Sequence, residues 1–446
     1  MFQNTQRFME HPVPPAFVLD GHTAQDAARA IIENGQQTEP FYIFDMDEAY
    51  RYIQKFRRCM PRLQVFYAMK ANDSEMMLKL AIAMGLGFDC ASPGEINRII
   101  RLGVDPTSII YAAPAKTPEQ MMYARKSGVR HTTFDTACEL HKIKQYWPDV
   151  HLLIRIKVES DSVYKLADKY GCQFETEAVN LLEEAASLGL TVIGVAFHVG
   201  SACFSIESYV VGIRRARALF DHEAKAGRHM KILDIGGGFL EEQTQKFEKV
   251  ARIVSESLAH LFPEPSVQII AEPGRYLCEV AFTLYCNISN VKTLTRNDKP
   301  LNMIYINDGV HGALRFVESW HKVHKFNDCE ENEDNLEDTI LWGPTPCSKD
   351  RLAVQLPRCS PQDWLVFEMQ GSYSIVFSGR FSGYEIALVR PVISRRLWAQ
   401  INDKSIFKLG DFIVSPNIAA PLPSTLPPLV PYTGRAEYSQ PSVLAD

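Results

Sequence analysis

Between residues 60 and 275, short apolar runs alternate with longer stretches of helical periodicity. The runs are LQVFYAM (63–69), GFDCA (87–91), SIIYAA (108–113), HTTFD (131–135), HLLIRI (151–156), TVIGVAF (191–197), KILDIG (231–236) and VQIIAE (267–272). Intervening stretches such as DSEMMLKLAIAMG, PEQMMYARKSG, FETEAVNLLEEAASLG and KFEKVARIVSESLAHLF space apolar residues for one helix face and often stop at glycine. Eight strand–helix alternations predict an α/β chain with a parallel (β/α)8 barrel over residues 41–280.

After residue 280 the texture changes. FTLYCNISNVKTL, LNMIYIND, RLAVQLP, DWLVFEM, SYSIVFSG and YEIALVRPV read as strands with little helix between them. They predict a second, mostly antiparallel β domain over 281–412, with residues 1–40 packing against it through AFVLDG. The acidic stretch 327–338, NDCEENEDNLED, reads as a mobile solvated loop, and the Pro-rich tail 413–446 as disordered.

Composition narrows the function classes. The chain has 446 residues, 46% hydrophobic and 22% charged, enough for two soluble domains. A net charge of −6 offers no basic footprint for nucleic acid. No apolar run has the length of a membrane span, and MFQNTQRFMEHPVPP lacks the apolar core of a secretory signal. Ten cysteines without a CxxC pair point to a reduced, cytoplasmic compartment and to no metal site.

Chemistry in such barrels gathers at the C-terminal ends of the strands. Strand one ends at Lys70, strand two carries Asp89, strand five Arg155, and strand six ends at His198. Strand seven opens into Gly236, Gly237 and Gly238, and strand eight ends in the turn Glu272, Pro273, Gly274, Arg275. A lysine closing an apolar strand is a candidate Schiff-base amine, its pKa expected to fall on burial. Alone it reads equally as a snorkelling lysine, the triple glycine as an ordinary turn, Glu272 and Arg275 as a surface ion pair, and His198 as a core histidine. Together they describe a pyridoxal 5'-phosphate site: an amine for the aldehyde, a carboxylate for the pyridine nitrogen, a flat imidazole against the ring, and backbone amides and a guanidinium for the phosphate.

The motifs FYAMKAN, FDCASPGEI, FHVGSAC, LDIGGGF, IIAEPGRY, INDGVHGA, WGPT and GSYS resemble the ornithine decarboxylase-like, alanine-racemase-fold decarboxylases over residues 40–400. The resemblance implies a barrel plus β domain and a homodimer with active sites shared at the interface. It implies Lys70 as the Schiff-base lysine, His198 stacked on the ring and Glu272 at the pyridine nitrogen. Ser201, Gly236, Gly237, Gly238, Arg275 and Tyr373 would hold the phosphate, with Asp89, Glu95 and Arg155 completing the surroundings. That complete set separates the chain from the family's non-catalytic, regulator-binding relatives.

The substrate side departs from the family pattern, which has Cys-Asp after WGPT and a further aspartate two residues on. The cysteine donates a proton into the partner's site, and the first aspartate meets ornithine's distal amine. In ILWGPTPCSKD (340–350) an ungapped reading puts Pro346 on the cysteine, Cys347 on the aspartate and Asp350 on the later aspartate. One inserted proline instead keeps Cys347 as the cysteine and puts Ser348 on the aspartate. The family's Tyr-Asp pair after NDGV falls on Ser319 and Trp320. Both distal-amine carboxylates are therefore absent, while Arg315, His321 and Lys349 stand nearby, as surface charges or as partners for substrate. Desolvating an ammonium without a partner costs several kcal/mol. The expected substrate is an amino acid or amino-acid-derived intermediate other than ornithine, with an anionic, zwitterionic or bulky distal group. The setting resembles fungal specialised metabolism. Decarboxylation coupled to oxidative deamination, a racemase, a regulatory paralogue and an ordinary ornithine decarboxylase of polyamine synthesis stay open as alternatives.

Overall fold

The computed structural model describes residues 14–241, 247–296, 299–327 and 335–414. The Pro-rich tail beyond 414 and residues 328–334 of the acidic stretch lie outside them. Eight parallel strands close into a barrel in chain order: Leu63–Ala68, Gly87–Cys90, Ile109–Tyr111, His131–Phe134, His151–Ile156, Thr191–Phe197, Ile232–Asp234 and Gln268–Ala271. Helices connect successive strands, and their starts follow capping chemistry. Ser92 caps Pro93–Arg101, and Thr117 with Gln120 forms a capping box on Pro118–Lys126. Among the described residues no helix is long and apolar enough to cross a membrane.

The two faces of each barrel strand have different neighbours. Leu152, Ile154, Val195, Leu233 and Ile269 join the large core between barrel and helices. Ile110, Leu153, Ala196, Ile232 and Ile270 form a separate cluster, with Phe66, Ala112 and Ile193 packed against it. This second set fills the barrel interior, as period-two alternation requires. Gly194 belongs to the same column as Ala196, and a Cβ there would lie 2.1 Å from the Ile232 carbonyl oxygen.

The second domain is a mixed sheet rather than a mostly antiparallel one. Its order is Arg351–Leu356, Glu337–Trp342, Lys299–Ile306, Phe282–Arg296, Phe41–Asp45, Leu388–Ser394, Ala16–Leu19, Phe412–Val414. Trp364–Phe367 joins it on Phe282–Arg296 and also pairs with Val323–Lys325. Parallel pairing enters where Ala16–Leu19 and Phe41–Asp45, far away in sequence, both flank Leu388–Ser394, and again between Ala16–Leu19 and Phe412–Val414 and between Lys299–Ile306 and Glu337–Trp342. Phe41–Asp45, expected in the barrel, thus belongs to this sheet, and Glu337–Asp338, expected in the acidic loop, begin a strand.

SYSIVFSG is not a strand. Tyr373 takes a left-handed φ of 55°, and a short 3-10 turn follows at Ile375–Phe377. The backbone here bonds to the barrel side: Tyr373 N donates to Ala71 O at 2.8 Å and Gly371 N to Glu279 O at 3.0 Å. Gly371 permits that approach, since a Cβ would fall 1.8 Å from the Cys278 carbonyl oxygen.

Two buried aspartates build the end of the second domain that bears ILWGPTPCSKD. Asp350 accepts from Val310 N (2.8 Å), Thr345 N (3.2 Å) and Thr345 Oγ (2.5 Å). Asp308 accepts from Gly309 N and Ala313 N. Burial raises Asp308 from 3.8 to about 6 against those two bonds, with Asp350 adding to the rise. Asp350→Ala should destabilise the fold by roughly 3 kcal/mol, since three part-buried donors lose their buried acceptor; thermal denaturation reads this as a lower midpoint. Because its folded pKa is raised, Asp308 favours the fold below pH 4 and loses that contribution as pH rises through 6. Asp308→Asn should therefore gain stability over wild type at pH 7, by on the order of 2 kcal/mol, and not at pH 4.

Candidate active site

The inward column of each strand continues past the apolar layer into charged residues. Two positions beyond Leu153 stands Arg155; beyond Ala196, His198; beyond Ile232, Asp234; and beyond Ile270, Glu272. Strand one runs Phe66, Ala68, Lys70 in the same way. Lys70 Nζ ion-pairs with Asp89, whose side chain is fully buried. Burial alone would lower Lys70, but the charges of Asp89, Glu272 and Tyr373 outweigh it and hold the ammonium above the ordinary lysine range. The expected depression of its pKa is thus reversed, because the mouth is acidic.

Glu272 is raised well above the carboxylate range by burial, then by the negative charges of Asp234 and Asp89. Asp234 is raised too, chiefly by burial, to about 7, while its Oδ1 accepts from Gly236 N at 2.8 Å. Burial beside one another's charge disfavours ionising both carboxyl groups together. Glu272 Oε1 is buried with no partner, as is Asp89 Oδ1. His198 is pushed well below the usual histidine range by burial, then by Arg155 and Lys70. Its Nδ1 accepts from Gly200 N at 2.9 Å, so the ring is neutral and fixed. Glu95, at the start of its helix, accepts from Ala91 N and is raised to about 6 by burial.

The glycine loop is shaped by backbone contact. Gly236 and Gly238 have φ of 64° and 96°, and Gly236 O accepts from Glu272 N at 2.8 Å. A Cβ on Gly237 would lie 2.6 Å from Glu272 O and 3.1 Å from His198 Nε2. Gly274 presses on Ala68 and Ala71, and Pro273 O accepts from Ala68 N at 3.3 Å. Arg275, 4% exposed, donates from Nη1 to Glu279 and to Ser372 Oγ (3.0 Å), and from Nε to Ser201 Oγ (3.4 Å). Its guanidinium lies 5.3 Å from the Tyr373 ring centre and 5.7 Å from that of Trp320.

The substrate-side candidates divide. Trp320 is brought to Arg275, and its indole N–H is buried without a partner. Ser319 is exposed. Arg315 is exposed, over the rings of Phe316 and Phe377. His321 is buried behind Arg275, bonded to Glu279 at 3.3 Å, and is not a surface charge. Cys347, Ser348 and Lys349 occupy the turn between Glu337–Trp342 and Arg351–Leu356, with Ser348 and Lys349 exposed. Among the described residues no hydrogen bond or ion pair joins these three side chains to the barrel mouth.

Sequence reasoning missed Asp234, Glu279, Ser372, Tyr164 and Glu318. Asp234 shares its column with Ile232 in KILDIG, and Glu279 lies one helical turn from Arg275, so both carried a readable signal. Ser372 stood unremarked within GSYS, and the Tyr164–Glu318 hydrogen bond (2.6 Å) had no local signal, since tertiary folding alone forms it.

Comparison with known proteins agrees with this geometry. Residues 46–279 match the family model "Pyridoxal-dependent decarboxylase, pyridoxal binding domain". The chain belongs to the pyridoxal-dependent decarboxylases. It is 36% identical to ornithine decarboxylase of Rattus norvegicus over 85% of this chain and 87% of that one. It is 37% identical to antizyme inhibitor 2 of Xenopus laevis (86% and 88% covered) and 35% to decarboxylase flvG of Aspergillus flavus (78% and 84%). Among solved structures, the arginine decarboxylase of Paramecium bursaria Chlorella virus bound to agmatine superposes with a TM-score of 0.76 at 29% identity, over 83% of this chain and 100% of that one. SrLDC in complex with PLP and cadaverine gives 0.73 at 30% identity (84% and 98% covered). The architecture is the alanine-racemase-like fold, and the cofactor is pyridoxal phosphate.

The residues present fit that group. An unpartnered buried carboxylate oxygen on Glu272 suits a protonated ring nitrogen. Gly236–Gly238 pack too closely on the backbone of Phe197, Glu272 and Gly200 to carry a Cβ, as suits a loop that presents bare amides to a phosphate, and Arg275 has no hydrogen bond on Nη2 among the described residues. Lys70→Ala protein should lack the borohydride-sensitive absorbance near the visible edge that wild type acquires with pyridoxal phosphate, while keeping the wild-type far-UV circular dichroism.

Proposed function

We propose that this decarboxylase acts on an α-amino acid whose distal end presents a hydrogen-bond acceptor, anionic or zwitterionic, on a group bulkier than ornithine's side chain. The observation that carries the reading is Trp320, a buried N–H donor without an acceptor at the position where the family resemblance places an aspartate. A donor there opposes an ammonium and suits a carboxylate or carbonyl oxygen. Arg315, exposed beside Phe316 and Phe377, supports the same sign of charge. Lys349 would add to it from the partner's turn.

Lys70 would hold the cofactor's aldehyde carbon, Glu272 its ring nitrogen, and His198 the face of its ring. Arg275, Ser201, Gly237, Gly238 and Tyr373 would hold the phosphate, with Asp89, Arg155 and Glu95 around them. When bound, pyridoxal phosphate supplies an electron sink for the pair left by the departing α-carboxylate. The protein's part is to keep His198 neutral and to keep Lys70 beside Asp89, where it can exchange a proton. Cys347 would donate the proton that completes the amine. That role rests on a homodimer, which the exposed side chains of Phe377, Phe381 and Tyr384 near the WGPT turn favour. The intact barrel mouth favours an enzyme over a binding protein of the antizyme-inhibitor kind.

Carbon dioxide release from ornithine, lysine, 2-aminoadipate and Nε-acetyl-lysine tests the proposal. The acceptor-bearing pair should have the higher kcat/KM; ornithine matching them would defeat it. Trp320→Phe should raise KM for the preferred substrate by about tenfold with little change in kcat. Amine, ammonia and peroxide measured per carbon dioxide separate simple decarboxylation from oxidative deamination.

A further inference from the structure

Three donors converge on a single carboxylate oxygen behind the phosphate arginine. Glu279 Oε1 accepts from Arg275 Nη1, from Ser372 Oγ at 3.0 Å and from His321 Nε2 at 3.3 Å. Glu279 is 3% exposed and His321 9%. The imidazole is tied on its other side as well. His321 Nδ1 accepts from Glu318 N at 3.1 Å and lies 3.2 Å from Gln370 Nε2, a second donor. Two donors on Nδ1 place the ring proton on Nε2, which makes His321 a donor to Glu279.

This geometry bears on how Arg275 meets an anion. A guanidinium held by one bare carboxylate shares its charge with that carboxylate, and an incoming phosphate must compete for it. Spreading the negative charge of Glu279 over the imidazole N–H and the Ser372 hydroxyl weakens that competition. It also stops the carboxylate from turning, so Arg275 stays aimed with Nη1 and Nε engaged and Nη2 open. We propose that His321 is a positioning residue for the cofactor phosphate: through Glu279 it holds Arg275 in the orientation that receives the dianion. Its ring also carries Glu318, and so the Trp320 segment, on the same support.

The role is read from cofactor affinity rather than turnover. Apoprotein is titrated with pyridoxal phosphate, and in parallel with pyridoxal, which lacks the phosphate. His321→Ala should weaken pyridoxal phosphate binding by about tenfold and leave pyridoxal binding within about twofold. His321→Gln, whose amide can donate to Glu279, should recover most of the loss. In a Glu279→Gln background, His321→Ala should weaken binding no further, because the path to Arg275 is already cut. Equal weakening for pyridoxal and its phosphate, or full additivity with Glu279→Gln, would overturn the proposal. Should His321→Ala not fold, His321→Gln against His321→Asn carries the same test. The shorter amide keeps the Glu318 contact and cannot reach Glu279, so equal affinities for the two would refute a role through that carboxylate.

Discussion

A closed barrel has one interior, and every second residue of each strand must enter it. The structure depends on that constraint. In the lower layers it selects Phe66, Ile110, Leu153, Ala196, Ile232 and Ile270, with Gly194 where neighbouring backbone leaves no room. One step higher the same columns deliver Lys70, Arg155, His198, Asp234 and Glu272 to a single mouth. The apolar layers below therefore do more than stabilise the barrel. They fix the height and direction of each charged side chain, because a shift of one residue along any strand would turn that group toward the helices.

Gathering these groups has an electrostatic consequence. Asp234 and Glu272 lie within each other's field and that of Asp89, and burial raises both of them. Lys70 and Arg155 offset part of that charge. The mouth is thus balanced by a few specific pairings, with Asp89 Oδ1 and Glu272 Oε1 left unpartnered. A second balanced centre, Arg275 with Glu279, Ser372 and His321, sits where barrel and sheet domain meet, and residues of both domains build it.

The barrel and most of this site could be read from the chain because both follow from local periodicity. Alternation located the strands, and their last inward residues located the chemistry; Asp234 was as legible as Glu272 once its column was counted. The sheet domain was harder. Phe41–Asp45 and Ala16–Leu19 pair with a strand more than 340 residues away, and no local pattern announces such partners. SYSIVFSG alternates like a strand, yet a left-handed Tyr373 and bonds to Ala71 and Glu279 turn it into a loop. His321 looked like a charge near substrate. Its burial behind Arg275 is a tertiary fact, visible only once Glu279 and Gln370 are in place.

The turn Thr345–Asp350 joins two unequal parts. Its foot is Asp350, sealed inside the sheet domain and gripping Val310 and Thr345. Its crest, from Pro346 to Lys349, meets the foot and the next strand through backbone alone, Cys347 O accepting from Asp350 N and Lys349 O from Arg351 N, with no side-chain hydrogen bond to the sheet among the described residues. Such a crest can be rewritten, residue by residue or with an inserted proline, without the fold registering the change. On the proposed reading, in which the partner's crest meets substrate, the foot would hold the loop in place while the crest changes, which would make this turn a low-cost point of divergence beside fixed cofactor machinery.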